Sequence, residues 1–302
     1  MNIARVLKSI VGIHALIPDD AFTASGLGTE RAGSGVVIGD GVVLTIGYLI
    51  TEADRIWLRS SEGRLTPGHV LALDQETGLG IVQALAVLDL PALELGSAQA
   101  AAVGDTAVLA GGEAGQYVRT RIVARQEFAG YWEYLIGDAL FTAPAHPLWG
   151  GAGLVDNDGR LIGIGSLLVQ QMTEAGELRD ANMVVPIDLL SPVLSDMLTH
   201  GRVRKPPRPW LGMFSTENGG IVAVAGVTEN GPAAQGGLRS GDIVTAIGER
   251  AVDSLADFYR ALWSSGPAGS EIVLHIVRDG RDVLCRLRTA DRAEYLKKPR
   301  LH

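Results

Sequence analysis

The 302-residue chain is long enough for about two domains, and its 47% hydrophobic content can form a sizeable core. A formal net charge of −8 excludes general electrostatic attraction to nucleic acid. The single cysteine, Cys285, excludes an internal disulfide, and its alternating surroundings predict a buried structural thiol. No apolar run approaches the roughly 18 residues that a membrane-spanning helix needs.

Short strand-like runs separated by turns fill most of the first 190 residues, and 39 glycines favour this pattern over long helices. The first strand is predicted at residues 9–17 and a hairpin follows at residues 35–45. The close spacing of short strands and turns predicts closed antiparallel barrels. The first long helix is predicted at residues 187–199, where apolar residues recur at helical spacing.

A change of composition follows this region and predicts a domain boundary after residue 200. Residues 201–208 are rich in proline and basic side chains, which is typical of a stiff, solvated linker. A second pattern of strands then fills residues 209–290, with a short helix near residue 231 and an amphipathic helix at residues 255–264. The charged residues 291–302 are predicted to form a tail.

The motifs of this C-terminal segment resemble a PDZ domain of the HtrA (Deg-protease) type. The resemblance rests on three motifs: Trp210-Leu211-Gly212-Met213, Gly231-Pro232-Ala233-Ala234 with Gly237-Leu238, and Ser240-Gly241-Asp242-Ile243-Val244.

The preceding region resembles the HtrA protease domain. The similar segments are Gly33–Ile38, Leu95–Ser97, Val103–Asp105 and Val184–Asp188. The resemblance implies an all-β dominated protein. It has a chymotrypsin-like double β-barrel within residues 1–200, with barrels at about residues 9–96 and 103–190, followed by a PDZ domain, a β-sandwich with two helices.

The catalytic positions implied by this resemblance carry other residues. Tyr48 stands where the family has its histidine base, Gly78 where it has its aspartate, and Gly150 where it has its serine. A Ser-His-Asp triad needs a nucleophilic oxygen, a base that is neutral near pH 7 and a carboxylate that orients the base. Glycine supplies neither the nucleophilic oxygen nor the carboxylate, and a phenol with a reference pKa of about 10 is a poor base. His146, four residues before Gly150, is interpreted as a solvated surface histidine, and Ser166 as a structural hydroxyl.

We therefore expect no enzyme activity. The hypothesis is a catalytically inactive pseudoprotease that acts as a scaffold or regulatory subunit, and the alternative is a serine endopeptidase with an unrecognised nucleophile. The sequence gives no support for a metal site, because His69 and Asp74 have no third ligand nearby, and it predicts no cofactor.

A PDZ fold binds an extended peptide along a sheet edge and holds the terminal carboxylate on backbone amides. The resemblance assigns the carboxylate-binding turn to residues 210–213, with the edge strand and the apolar pocket following it. The predicted peptide-binding residues are Trp210, Leu211, Gly212, Met213, Phe214, Phe258 and Leu262.

The expected partners are protein C-termini or extended peptides, and possible partners include a larger enzyme or an active relative. An oligomer is possible, but a trimer is doubtful, because only about eight residues precede the first strand and the family trimerises through that segment. Residues 9–17 are interpreted as a strand and not as a signal peptide, which predicts a cytoplasmic protein, with the periplasm as the alternative.

Overall fold

The described part of the chain groups into two compact units, which we call the N-terminal and C-terminal units. The computed structural model describes residues 1–112, 115–172 and 176–298. The N-terminal unit contains residues 1–126, 138–204 and the described residues from 297 onward, and the C-terminal unit contains residues 127–137 and 205–296. The last four residues of the predicted tail lie outside the described residues.

Six antiparallel strands close the first barrel of the N-terminal unit in the order β1-β2-β3-β6-β5-β4. They are β1 (Ile10–Leu16), β2 (Glu30–Gly39), β3 (Val42–Ile46), β4 (Arg55–Arg59), β5 (Leu65–Leu73) and β6 (Leu79–Ala84). Branched and aliphatic side chains alternate into the interior, where Ile13, Leu44 and Ile81 are almost fully buried. The predicted antiparallel barrel is confirmed.

Six further strands close the second barrel in the order β10-β11-β12-β9-β8-β7. They are β7 (Thr106–Gly111), β8 (Gln116–Gly130), β9 (Tyr134–Ala143), β10 (Gly153–Val155), β11 (Leu161–Met172) and β12 (Leu178–Pro186). The end of β8, the turn after it and the start of β9 belong to the C-terminal unit. The second barrel therefore confirms the predicted architecture, whereas nothing in the sequence indicated this division of one hairpin.

The C-terminal unit is built on a six-stranded antiparallel sheet with the order β13-β14-β15-β17-β18, in which β16 pairs with β15. The strands are β13 (Met213–Asn218), β14 (Ile221–Val227), β15 (Ile243–Ile247), β16 (Arg250–Ala251), β17 (Glu271–Arg278) and β18 (Arg281–Arg288). Strand β13 stands at the end of this order, so one of its edges is free of sheet partners. Cys285 on β18 is buried, as predicted, and burial raises the pKa of its thiol.

Five α-helices complete the described part of the fold: α1 (Ile3–Lys8), α2 (Ala24–Leu27), α3 (Ser191–His200), α4 (Pro232–Gln235) and α5 (Leu255–Trp263). Helix α3 begins later than predicted, because Ile187–Leu189 form a 3₁₀ turn and Pro192 occupies the first turn of the α-helix. Ser254 caps α5 by accepting the amide of Asp257. None of the helices in the described ranges is long and apolar enough to cross a bilayer.

Candidate functional site

Two of the predicted catalytic positions lie side by side in the N-terminal unit. Tyr48 sits in a 3₁₀ turn after β3, and its hydroxyl donates to the Ser166 carbonyl at 2.9 Å. A Cβ atom added at Gly150 would lie 2.8 Å from the Tyr48 hydroxyl oxygen. The phenol therefore occupies the space that a side chain at residue 150 would enter.

Burial also determines the protonation state of Tyr48. Loss of solvent raises the pKa of its phenol to about 12, against a smaller lowering effect of a hydrogen bond with the Trp149 side chain. The hydroxyl is protonated at neutral pH and acts there as the donor to the Ser166 carbonyl.

Gly78, the third predicted catalytic position, is connected to the turn that carries Tyr48 through a backbone hydrogen bond. Its carbonyl accepts the Gly47 amide at 2.7 Å, directly before Tyr48, and its φ of +74° favours glycine. The neighbouring Asp74 carboxylate accepts both the amide and the hydroxyl of Thr77. This carboxylate therefore stabilises its own turn.

His146 is not the solvated surface residue that the sequence suggested. It is 1% exposed, and its Nδ1 atom accepts the Leu148 amide at 2.9 Å, so the neutral ring carries its proton on Nε2. Burial lowers the pKa of the imidazole, and the backbone amide of His146 donates to Asn182 Oδ1 at 2.6 Å. The prediction failed because it assumed solvent as the partner of a lone histidine, whereas the ring bonds the local backbone.

The bond from Leu148 to the His146 ring uses the backbone amide two residues before Gly150. In serine proteases of the chymotrypsin type, the oxyanion is held by the amide of the nucleophile and the amide two residues before it. Leu148 stands at that second position if Gly150 stands at the first. Within the described ranges, no hydrogen bond joins a serine or threonine hydroxyl to a histidine ring.

A second site lies in the C-terminal unit, at the predicted carboxylate-binding turn. The amides of Leu211, Gly212 and Met213 all donate to the carboxylate of Glu133. Gly212 makes the shortest of these bonds, 2.8 Å, and the Met213 bond is 3.1 Å. Leu211 lies 3.2 and 3.1 Å from the two carboxylate oxygens. The turn therefore binds a carboxylate, in the manner of a backbone anion nest.

The sequence of the turn explains its shape. Gly212 has a φ of +71°, and a Cβ atom there would lie 2.8 Å from the Trp210 ring. The carbonyls of the turn point away from the nest, because Leu211 accepts the Ala233 amide and Gly212 accepts the Thr228 amide. Only glycine combines this backbone conformation with the close packing of the indole.

The other predicted peptide-binding residues divide by exposure. Phe214 on β13 is 40% exposed, whereas Phe258 and Leu262 on α5 are both fully buried in the core of the unit. Trp210 is buried as well, and its ring packs on Tyr295 at 4.8 Å. The role of Phe258 and Leu262 as a peptide pocket stays a prediction.

Sequence reasoning missed Glu133 altogether. Its distance of 78 residues from Leu211 along the chain hides the contact from any local pattern. A signal was present, because four aromatic residues fall within residues 128–134 of a chain that is only 5% aromatic. Such a cluster at a turn indicates a surface that packs on something.

Comparison with known proteins supports both parts of this structure. A sequence model of the trypsin-like peptidase domain matches residues 33–164, and one of the PDZ domain matches residues 209–289. The periplasmic serine endoprotease DegP of Escherichia coli is 26% identical over 272 residues, which are 83% of this chain and 55% of DegP. A probable periplasmic serine endoprotease, DegP-like, of Pseudomonas fluorescens is 27% identical over 271 residues, 83% of this chain and 54% of that protein. The chain thus spans about half the length of these curated relatives.

Solved structures show the same fold. The HtrA-type protease AlgW with a decapeptide gives a TM-score of 0.56 at 23% identity and covers 99% of this chain and 98% of its own. A serine endoprotease from Yersinia pestis gives a TM-score of 0.55 at 21% identity and covers 96% of both chains.

These findings correct two expectations and confirm one. The expectation that the chain is not an enzyme is contradicted, because its relatives are named serine endoproteases. The expectation of a cytoplasmic protein is contradicted in the same way, because those relatives are named periplasmic. The resemblance is confirmed: the chain is similar to HtrA-type proteases, with a match to the trypsin-like peptidase domain followed by a match to the PDZ domain.

Proposed function

We propose that this HtrA-type protein binds the C-terminal ends of polypeptides at the turn formed by residues 210–213. The observation that supports the proposal is the convergence of three backbone amides on one carboxylate, at 2.8 to 3.2 Å. Hydrogen bonds from amides to an ionised carboxylate are the recurring means by which proteins capture a chain terminus.

The edge of the sheet supplies the second part of such a site. Strand β13 starts at Met213, directly after the turn, and is the terminal strand of the sheet order. An extended peptide that adds to this edge would place its carboxylate on the turn and its side chains beside Phe214. An affinity near 1 μM, about −8 kcal/mol, is the expected scale for a short peptide.

The names of the relatives favour a second candidate function, serine endopeptidase activity in the periplasm. Gly150 has no side chain, so hydrolysis would require a hydroxyl other than one at residue 150. Ser166 is the first hydroxyl to replace, because its own carbonyl holds the Tyr48 hydroxyl.

Peptide binding is tested with fluorescein-labelled Ala-Gly-Tyr-Trp-Val, first with a free C-terminal carboxylate and then as the C-terminal amide. Fluorescence anisotropy with the full chain should show saturable binding of the acid and at least about tenfold weaker binding of the amide, about 1.4 kcal/mol. Equal affinity for the two peptides would refute carboxylate recognition.

Endopeptidase activity is tested by incubating the full chain with unfolded casein and a fluorophosphonate probe, and by locating the labelled residue with mass spectrometry. Ser166→Ala should abolish both cleavage and labelling, whereas the exposed Ser191→Ala should retain them. Absence of cleavage by the wild-type chain would refute the second candidate, and cleavage by both variants would exclude Ser166.

A further inference from the structure

The carboxylate on the turn belongs to the protein itself. Glu133 lies in the segment of residues 127–137, which forms part of the C-terminal unit, and its side chain is 8% exposed. Its Oε1 atom accepts the amides of Gly212 and Met213, and Leu211 donates to both oxygens. The site proposed to receive a chain terminus is therefore filled by a side chain.

The backbone beside Glu133 also bonds the edge strand of the sheet. The amide of Ser215, two residues after Met213, donates to the carbonyl of Tyr131, two residues before Glu133, at 2.8 Å. A peptide added to this edge would bond the same backbone groups of β13. The Tyr131 ring lies 6.0 Å from that of Phe214, where a side chain of a bound peptide would lie.

Helix α5 fixes the same segment from the other side. The Tyr259 hydroxyl donates to the Gly130 carbonyl at 2.6 Å and accepts the Glu133 amide at 3.1 Å. Arg260, on the next position of the helix, forms an ion pair with Glu127. The segment is therefore held by side chains of α5 as well as by the turn and the edge strand.

Charge makes this arrangement conditional. Burial raises the pKa of the Glu133 carboxyl to about 7, against the lowering effect of the three amides and of Arg292. Of the groups that face it, the Tyr259 phenol stays neutral, because burial raises its pKa, and Arg292 stays positively charged. The ionised carboxylate is thus held at an energetic cost, because its charge is removed from solvent.

We propose that residues Tyr131–Glu133 are an internal ligand of the carboxylate-binding turn, which a polypeptide C-terminus must displace in order to bind. The proposal rests on the proposed peptide-binding function and adds a closed state to it. Displacement lowers the apparent affinity by the fraction of molecules whose turn is free. Because Tyr131 occupies the place beside Phe214, the favoured competitor has an aromatic residue two positions before its terminal carboxylate.

The test measures binding of fluorescein-labelled Ala-Gly-Tyr-Trp-Val to the full chain by anisotropy, for the wild type and for Glu133→Ala. If the turn is free in about one molecule in ten, the variant binds about tenfold more tightly. Glu133→Gln retains the volume of the side chain and removes its charge, so it should bind the peptide no more tightly than the wild type does at pH 5.5, where the wild-type carboxyl is neutral. Glu249→Gln is the matched control, since this exposed carboxylate lies in the same unit.

A second measurement uses the wild-type chain, so its result does not depend on whether the variants fold. Saturation with the peptide should accelerate hydrogen–deuterium exchange of the amides in residues 130–134, because displacement frees them. Unchanged exchange with the peptide bound would overturn the proposal.

The outcomes separate the two proposals. Equal peptide affinity of the wild type and Glu133→Ala would overturn the internal ligand and leave the peptide-binding function intact. No binding by any of them would overturn both. An equal gain in Glu249→Gln would show a general effect of charge and would also overturn the internal ligand.

Discussion

Replacement of Gly212 by alanine should weaken the C-terminal unit more than the same change at Gly237, a glycine of similar backbone conformation. The residue has a φ of +71°, and the left-handed conformation costs an alanine about 1–2 kcal/mol. The new Cβ atom would lie 2.8 Å from the Trp210 ring and 3.2 Å from the Cβ of Thr228. Such an overlap in a packed site adds about 1–3 kcal/mol. The expected loss in free energy of unfolding is the sum of the two, about 2–5 kcal/mol.

Gly237 provides the matched control for this change. Its φ is +78°, and a Cβ atom there would meet nothing within 4 Å. Gly237→Ala should therefore cost only the conformational part, about 1–2 kcal/mol. Urea unfolding of the full chain, followed by amide exchange of β13 and β17, reports on the C-terminal unit for both variants.

The comparison of the two variants isolates the steric contribution. Gly212→Ala should also weaken binding of the carboxylate peptide, because the amide that makes the shortest carboxylate bond shifts with the backbone. A loss at Gly212 no larger than that at Gly237, together with unchanged peptide affinity, would refute the described geometry of the turn.

Three further predictions concern single side chains. Tyr48→Phe removes the bond to the buried Ser166 carbonyl and should lower the free energy of unfolding by about 1–3 kcal/mol in urea titrations; an unchanged midpoint would contradict that bond. The Arg278 guanidinium donates to both oxygens of the Asp242 carboxylate and holds the pKa of that carboxyl below its usual 3.8. The stability that this pair provides is therefore present above about pH 3.8 and is lost as the pH falls further. Asp242→Asn should flatten the acid side of a plot of stability against pH, and an unchanged acid side would count against the pair. The pKa of Glu133 is about 7 in the folded state and 4.5 in the unfolded state, so the folded state binds more protons between these values and its stability falls as the pH rises through this window. Apparent peptide affinity should therefore increase from about pH 5.5 to about pH 8. Glu133→Gln should show no such rise, and parallel pH profiles of the two proteins would exclude Glu133 as its source.

Local sequence was sufficient for the antiparallel strands, and the resemblance of its motifs supplied the double barrel. Alternating branched residues, with turns at close spacing, predict antiparallel strands because side-chain direction has a period of two in any strand. The carboxylate-binding turn was predicted from the resemblance of the Trp210–Met213 motif to PDZ domains, and the left-handed backbone at Gly212 fits a close approach of the ligand.

His146 shows where this reasoning stops. Sequence gives the residue type and not its neighbours, and a lone histidine between prolines and small residues looks solvated. The structure buries it, because the backbone amide of Leu148 and the side chain of Asn182 supply its hydrogen bonds. One of these partners is 36 residues away along the chain.

The sequence by itself determined the antiparallel strands and, through the resemblance of its motifs, the two kinds of domain and their order. Each of these depends on neighbouring residues, whose spacing and backbone preferences are written in the chain. Only the tertiary structure decided that the phenol of Tyr48 lies against Gly150 and that Glu133 fills the turn. Both contacts join segments far apart in sequence, and both depend on burial, which changes the pKa of each group and exists only once the chain has folded.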